Sequence, residues 1–192
     1  MKLTLHTCCG PCAIYPVRVL RDEGVDVMGF FYRSNIHPWA ECQRREEALR
    51  TYAEKVDLKV VFQKGYDMEN FFRNTAFRES VRCLYCHRDR LYQTARIAKK
   101  GKFDAFSSTL LYSKFQDHDQ IKSIGEVVAK ETGVPFYYRD FRPGWKEGIE
   151  KSREMGLYRQ QYCGCLHSEK ERYLSKIRRA GKNGLLFNNH LS

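Results

Sequence analysis

Eight cysteines dominate the chemistry open to this 192-residue chain, and seven of them fall in tight groups: Cys8, Cys9 and Cys12, then Cys83 and Cys86, then Cys163 and Cys165. Thiols grouped in this way hold metals or do redox work. Cys83 and Cys86, three residues apart at the start of a helix, place both sulfurs on one face, as a metal ion or an iron–sulfur cluster requires. Cys8 and Cys9 complete a set of four thiolates. Adjacent cysteines are an awkward pair for one small tetrahedral zinc ion but reach different corners of a larger cluster, so the cluster is favoured over structural zinc. Cys9-Gly10-Pro11-Cys12 is also a C-x-x-C at a strand-to-helix turn, of thioredoxin-like appearance, with Val134-Pro135 standing for the cis-proline strand of that fold. A minimal redoxin needs only about half this chain. It also leaves the other five clustered cysteines without a purpose.

Cys163-Gly164-Cys165 is a C-x-C pair whose disulfide closes a very small ring, tolerable only across a residue as permissive as glycine and therefore easily reduced. Such a pair suits a dithiol that is oxidised in turnover and recharged from a low-potential centre; the alternative is two further metal ligands. Cys42, alone within a helix, reads as a small buried residue. His6 and His37 read as a strand and a loop residue, and His87 and His118 as residues among charges on the surface.

The elements that must position these groups alternate. Lys2 to His6 is a short strand running into the first cysteines, and Ala13 to Leu20 is helical, with Pro11 near the first turn and Pro16 as a potential kink. Val25–Tyr32 is an apolar run of the kind buried on both faces of a parallel sheet. Ser34 to Pro38 is a polar loop, Leu49, Tyr52, Ala53 and Val56 mark a helix, and Lys59–Gln63 is a third strand. Helices over Asp67–Thr75 and from Arg82 to a stop at Gly101 lead to a fourth strand, Ala105–Leu111. A helix carrying Ile121, Ile124 and Val128 ends at Gly133, Val134–Phe141 is a fifth strand, and helices over Trp145–Gly156 and Ser168–Ala180 flank the Tyr158–Cys165 loop. This alternation predicts a single doubly wound α/β domain with a mostly parallel sheet and a helical C-terminal extension, 143–192. Cys8, Asn35, Leu111 and Phe141 all fall at or just past strand C-termini, the edge where such folds bind ligands.

Apolar residues make up 42% of the chain, and 12 Phe and 12 Tyr supply large buried areas, which excludes a disordered protein. No window approaches the roughly 18 apolar residues of a membrane span, and the start lacks a signal sequence, so a cytoplasmic protein with no membrane partner is expected. The cysteines are then not structural disulfides. Lys and Arg number 34 against 23 Asp and Glu, a net charge of +11 that suits a polyanion such as RNA, or simply a solvated surface. Arg139, Arg142, Trp145, Tyr158, Arg159 and Tyr162 mix guanidinium and aromatic groups in the manner of a site for unpaired bases.

Taken together, His6-x-Cys8-Cys9-x-Pro11-Cys12, Asn35-Ile36-His37-Pro38, Arg82-Cys83-x-x-Cys86, Phe106-Ser-Ser-Thr-Leu-Leu111, and Phe141-Arg-Pro-Gly-Trp145 through Gly156-Leu-Tyr-Arg-Gln-Gln-Tyr-Cys163-Gly-Cys165 closely resemble the cobalamin-independent epoxyqueuosine reductases of the QueH kind. The resemblance spans nearly the whole chain. It implies a nucleotide-hydrolase-like (HUP-type, Rossmann-like) fold and reduction of epoxyqueuosine to queuosine at the wobble base of tRNA. It further implies a [4Fe-4S] cluster on Cys8, Cys9, Cys83 and Cys86 and a redox-active disulfide between Cys163 and Cys165. Cys12 is left as a substitute ligand or the holder of a second iron. Asn35, His37, Arg142, Trp145 and Arg159 are the expected substrate contacts, and an external electron donor is required. Cys8-Cys9-Gly-Pro-Cys12 is not the glycine- and serine-rich phosphate loop of the related tRNA-thiolating enzymes, so neither ATP nor cobalamin is expected. The developing alkoxide calls for an open iron position or an acid such as His6, His37 or His118. Zinc-stabilised RNA-binding modules and thioredoxin-like oxidoreductases are the alternatives.

Overall fold

The computed structural model describes residues 1–182. The chain runs β1 (Lys2–His6), α1 (Gly10–Asp22), β2 (Asp26–Phe31), α2 (Trp39–Lys55), β3 (Val60–Phe62), α3 (Met68–Thr75), α4 (Arg82–Lys100), β4 (Ala105–Ser108), α5 (His118–Thr132), α6 (Trp145–Glu154) and α7 (Leu166–Lys182). The four strands form one parallel sheet in the order β3-β2-β1-β4. From β1 the chain steps outward twice through α1 and α2, then returns past β1 to lay β4 on the other side. With right-handed crossovers, this reversal puts α1 and α2 on one face and α3 and α4 on the other. In agreement, α1 packs on α2 and α6, and α4 packs on α5 and β1. The fold is the doubly wound α/β arrangement the alternation predicts, and its topological switch lies between β1 and β4.

Leu3 and Leu5 of β1, Phe31 of β2, Phe106 of β4, and Leu91, Ala95 and Ala98 along one stripe of α4 are buried in a continuous apolar core. Gly10 opens α1 in close contact with α2. A Cβ at that position would meet the Ala48 carbonyl oxygen at 2.4 Å, so glycine lets the two backbones approach and seats Cys9 and Cys12 against the sheet. The helix continues through Pro16 without interruption.

Two expectations need correction. Strand β4 stops at Ser108, because the Ser108 hydroxyl accepts from Leu110 N–H and starts a short 3-10 helix over Thr109–Tyr112. The fifth strand, Val134–Phe141, shrinks to one parallel bridge between Phe106 and Phe136, flanked by Phe106 N–H to Pro135 O and Tyr137 N–H to Phe106 O. Proline has no N–H to offer a ladder, and β4 has already turned away. Of the proposed C-terminal extension, residues 183–192 lie outside the described region.

Candidate active site

Strand β1 delivers its cysteines directly into the switch-point crevice. The sulfurs of Cys8, Cys9 and Cys12 lie within 4.8 Å of one another, all three buried, at the N-terminus of α1. Thr109, arriving at the end of β4, accepts from Cys8 N–H at 3.2 Å and points its hydroxyl at Cys8 Sγ at 3.5 Å. Hydrogen bonds from the Cys12 and Cys9 thiols hold Cys8 well below the usual thiol range, while its bond to Cys8 drives Cys12 upward and burial does the same to Cys9. The pull toward thiolate thus falls on Cys8, beside a helix N-terminus, which favours anions. Three convergent thiols of this kind are a donor set for a soft metal.

Cys83 and Cys86 stand on the first turns of α4. Together with Asn35, Arg90, Cys163 and Cys165 they line a small neighbouring cavity. Burial pushes Cys86 up to about 11, and Cys83 in the same direction, with Arg90 opposing the rise at Cys86. The Arg90 guanidinium is itself 2% exposed and spans the two cysteine groups. Its Nε donates to Cys86 Sγ at 3.2 Å, one terminal nitrogen to His6 Nε2 at 3.4 Å and the other to the Asn35 carbonyl at 2.9 Å. Because His6 accepts there, its Nδ1 carries the proton and donates to Ser108 Oγ at 2.9 Å. Burial, reinforced by Arg90, lowers the His6 pKa to about 3, so this ring is neutral and not an acid.

The Tyr158–Cys165 loop is clamped from below. Arg45 of α2 is fully buried with Glu41, its partner one turn earlier at 2.8 Å, and donates to the carbonyls of Tyr162 and Cys163, both at 2.9 Å. Glu41 also accepts from Tyr158 hydroxyl at 2.5 Å. His37 N–H donates to Gly164 O at 2.6 Å, and Tyr162 hydroxyl to His37 O at 2.8 Å. Gly164 adopts φ +150°, and a Cβ there would lie 3.4 Å from Arg45 and 3.6 Å from Arg90. The C-x-C loop therefore rests on two buried guanidinium groups, with glycine required by its backbone conformation, while a Cβ would make only ordinary contacts there.

A larger cavity of about 590 Å3 opens on the other side of Cys163, within the range of small-ligand sites. Cys8 and Cys12 lie on its floor. Tyr112 stacks on Trp145 at 5.2 Å, and Phe115 meets Trp145 edge-on at 5.6 Å, giving an aromatic wall. Gln160 donates to Cys12 Sγ and Gln116 to Cys163 Sγ, both at 3.2 Å. Cys163, Leu110 and Ser168 line both cavities and separate them.

The residues singled out from sequence divide accordingly. Trp145 and Arg159 line the larger cavity and Asn35 the smaller, where its side-chain oxygen is buried without a hydrogen-bond partner. His37 is buried against Phe71 and Phe72 and donates from Nε2 to Ser34 O. Arg142 lines neither cavity and pairs with Asp140. The three sulfurs that converge within 4.8 Å include Cys12, whereas Cys83 and Cys86 gather with Cys163 and Cys165. Cys42 is buried as expected. His87 and His118, read as surface residues, are both buried, His87 of α4 between Gln116 and Gln120, and His118 at the start of α5 with Nε2 3.3 Å from Ser113 O. Arg45, Glu41, Arg90, Gln116 and Gln160 escaped the sequence reading. The i, i+4 spacing of Glu41 and Arg45 is a signal, but it is the spacing of any exposed helical ion pair.

The switch point of this parallel α/β sheet carries three convergent buried thiols of a kind that could hold a metal, with a second thiol pair and a C-x-C pair beside them. The epoxyqueuosine reductase QueH family model matches residues 3–171, and the chain belongs to that family. An epoxyqueuosine reductase QueH of Dehalococcoides mccartyi is 38% identical over 172 residues, covering 90% of this chain and 94% of that one. Its counterpart in Thermotoga maritima is 35% identical, covering 88% and 90%. Among solved structures, a predicted subunit of tRNA methyltransferase from Methanocaldococcus jannaschii superposes with a TM-score of 0.51 at 11% identity, over 96% of this chain and 88% of that one, a likeness of fold.

Proposed function

We propose that this protein reduces epoxyqueuosine to queuosine in the anticodon wobble position of tRNA, drawing two electrons from the Cys163/Cys165 dithiol. Family membership is the observation that carries the reading. Removal of the epoxide oxygen as water consumes two electrons and two protons, which is what a dithiol releases on becoming a disulfide. Cys8, Cys9, Cys83 and Cys86 would hold a [4Fe-4S] cluster, its thiolates favoured by the α1 N-terminus beside Cys8 and Cys9 and by the Arg90 donor on Cys86. When bound, the cluster supplies single electrons from an external donor to restore the dithiol. Cys12, with Gln160 against it, is the thiol left for a second iron.

The modified base enters the larger cavity, where the Tyr112–Trp145–Phe115 wall offers a stacking surface and Arg159 a cation for the backbone. Asn35, with an unsatisfied buried oxygen, turns a polar group to the smaller cavity beside Cys163. His37 acts from behind, holding Gly164 through its backbone, and Arg142 meets the tRNA outside the cavity. The net charge of +11 gives the surface its affinity for the polyanion. Cluster-loaded, reduced protein is expected to convert epoxyqueuosine in a tRNA anticodon loop without added cobalamin or ATP. Nucleoside mass spectrometry reads the loss of one oxygen; intact epoxide under those conditions overturns the reading.

A further inference from the structure

The two sulfurs of the C-x-C pair are not equivalent, and the difference orders the chemistry. Cys163 is exposed and lines both cavities, so it is the one dithiol sulfur that faces the 590 Å3 space together with the aromatic wall. The Gln116 amide N–H points at its sulfur from 3.2 Å. That amide is held in turn from behind, where its oxygen lies 2.9 Å from Nε2 of buried His87, whose Nδ1 faces the Gln120 side chain at 2.8 Å. A donor held in this way stabilises negative charge on the sulfur it faces. Cys165 is 8% exposed and lines only the smaller cavity. Its thiol is directed at Ser168 Oγ, 3.6 Å away, and that hydroxyl is fixed by donating to Cys165 O at 2.7 Å and accepting from Gly164 N–H at 3.2 Å.

We infer that Cys163 is the nucleophile that opens the epoxide and Cys165 the resolving thiol, with His87 and Gln116 as positioning residues for Cys163. This rests on the epoxide-reduction reading above. The Cys163 thiolate attacks one epoxide carbon, a C–S bond forms, the C–O bond at that carbon breaks, and the alkoxide takes up the proton released from Cys163. The Cys165 thiolate then attacks Cys163 Sγ. An S–S bond forms, the C–S bond breaks, its electron pair becomes the carbon–carbon double bond, and the neighbouring hydroxyl departs as water with the proton from Cys165. Epoxide and two thiols thus give alkene, disulfide and water, with two electrons moved from sulfur to carbon.

The test uses cluster-loaded, pre-reduced protein and tRNA bearing epoxyqueuosine. Cys165→Ser is expected to accumulate a thioether adduct, seen as a protein–tRNA band that survives denaturation in excess thiol and maps to the Cys163 peptide after nuclease and protease digestion. Cys163→Ser is expected to give none. In the unaltered protein, which needs no variant to fold, iodoacetamide is expected to label Cys163 roughly ten times faster than Cys165, as its greater access dictates. Gln116→Leu should narrow that ratio while the iron content stays unchanged. Wild-type turnover with an adduct in Cys163→Ser instead, or with none in either variant, overturns the order alone, as does faster labelling of Cys165. Wild-type protein that leaves the epoxide intact overturns the activity reading, and the order falls with it.

Discussion

Replacing Arg45 by Leu tests whether the clamp under the C-x-C loop is as demanding as its burial implies. Glu41 receives two arginines, Arg45 at 2.8 Å with both side chains 0% exposed, and Arg44 at 3.1 Å with the arginine side chain 56% exposed. A solvated pair is worth about 0–1 kcal/mol, whereas removing one partner of a buried pair costs about 3–5 kcal/mol, because the remaining charge keeps its desolvation penalty without its partner. The carbonyls of Tyr162 and Cys163 lose their donor as well, but they lie nearer the surface, where water replaces it. For a chain of this size, about 2–4 °C of melting temperature accompanies each kcal/mol, so Arg45→Leu should lower Tm by about 6–20 °C and Arg44→Leu by less than about 4 °C. The assay is thermal denaturation followed by circular dichroism, with all variants prepared and metal-loaded identically. Adding Glu41→Gln to Arg45→Leu should recover part of the loss, since the buried carboxylate, left with only the half-exposed Arg44 and the Tyr158 hydroxyl, is then gone. A shift of under about 2 °C for Arg45→Leu, or equal effects of the two arginines, would refute the reasoning, because both predictions follow from burial alone.

The remaining predictions concern metal, charge and pH. Anaerobically reconstituted protein should be brown with about four irons and four sulfides per chain, lost in Cys83→Ser or Cys86→Ser and kept in Cys163→Ser or Cys165→Ser. Stoichiometric zinc without sulfide would instead favour a zinc-stabilised RNA-binding module, and iron lost from Cys163→Ser would make that residue a ligand. Affinity for tRNA should fall steeply between low and physiological salt, because each phosphate neutralised releases counterions; a flat salt titration would leave the +11 charge as a matter of solubility. Burial lowers the His37 pKa from 6.5 to about 4, so the unfolded chain binds a proton there before the folded one does. That stability is complete above pH 6.5 and is lost as pH falls toward 4, about 2 kcal/mol of it by pH 5. Urea unfolding at pH 7 and pH 5 should show His37→Gln losing correspondingly less than wild type, and equal losses would remove His37 as the cause.

Periodicity and turn chemistry made most of the scaffold legible. The apolar run at Val25–Tyr32 needed burial on both faces, Gly133 had to end its helix, and the spacing of Cys83 and Cys86 put both on the opening turns of α4. These are local properties, set by the dihedral preferences and side-chain period of a few neighbouring residues. The motifs in order likewise sufficed to place the chain in its family. The fate of the segment at Val134–Phe141 depended on a remote event, the Ser108 hydroxyl turning β4 into a 3-10 helix and withdrawing the ladder it would have joined. Arg45 and Arg90 were invisible for a deeper reason. Arg45 has the i, i+4 spacing to Glu41 of a solvated ion pair, and Arg90 has no charged partner among the described residues of its own helix. Only tertiary packing, the 158–165 loop on Arg45 and the His6 and Asn35 segments on Arg90, removes water from both guanidinium groups. The same holds for Cys163 and Cys165, identical in type and two residues apart. Which sulfur meets the larger cavity is decided by the position of Gln116 on one side and Ser168 on the other, brought to them by different elements through contacts that no local pattern encodes.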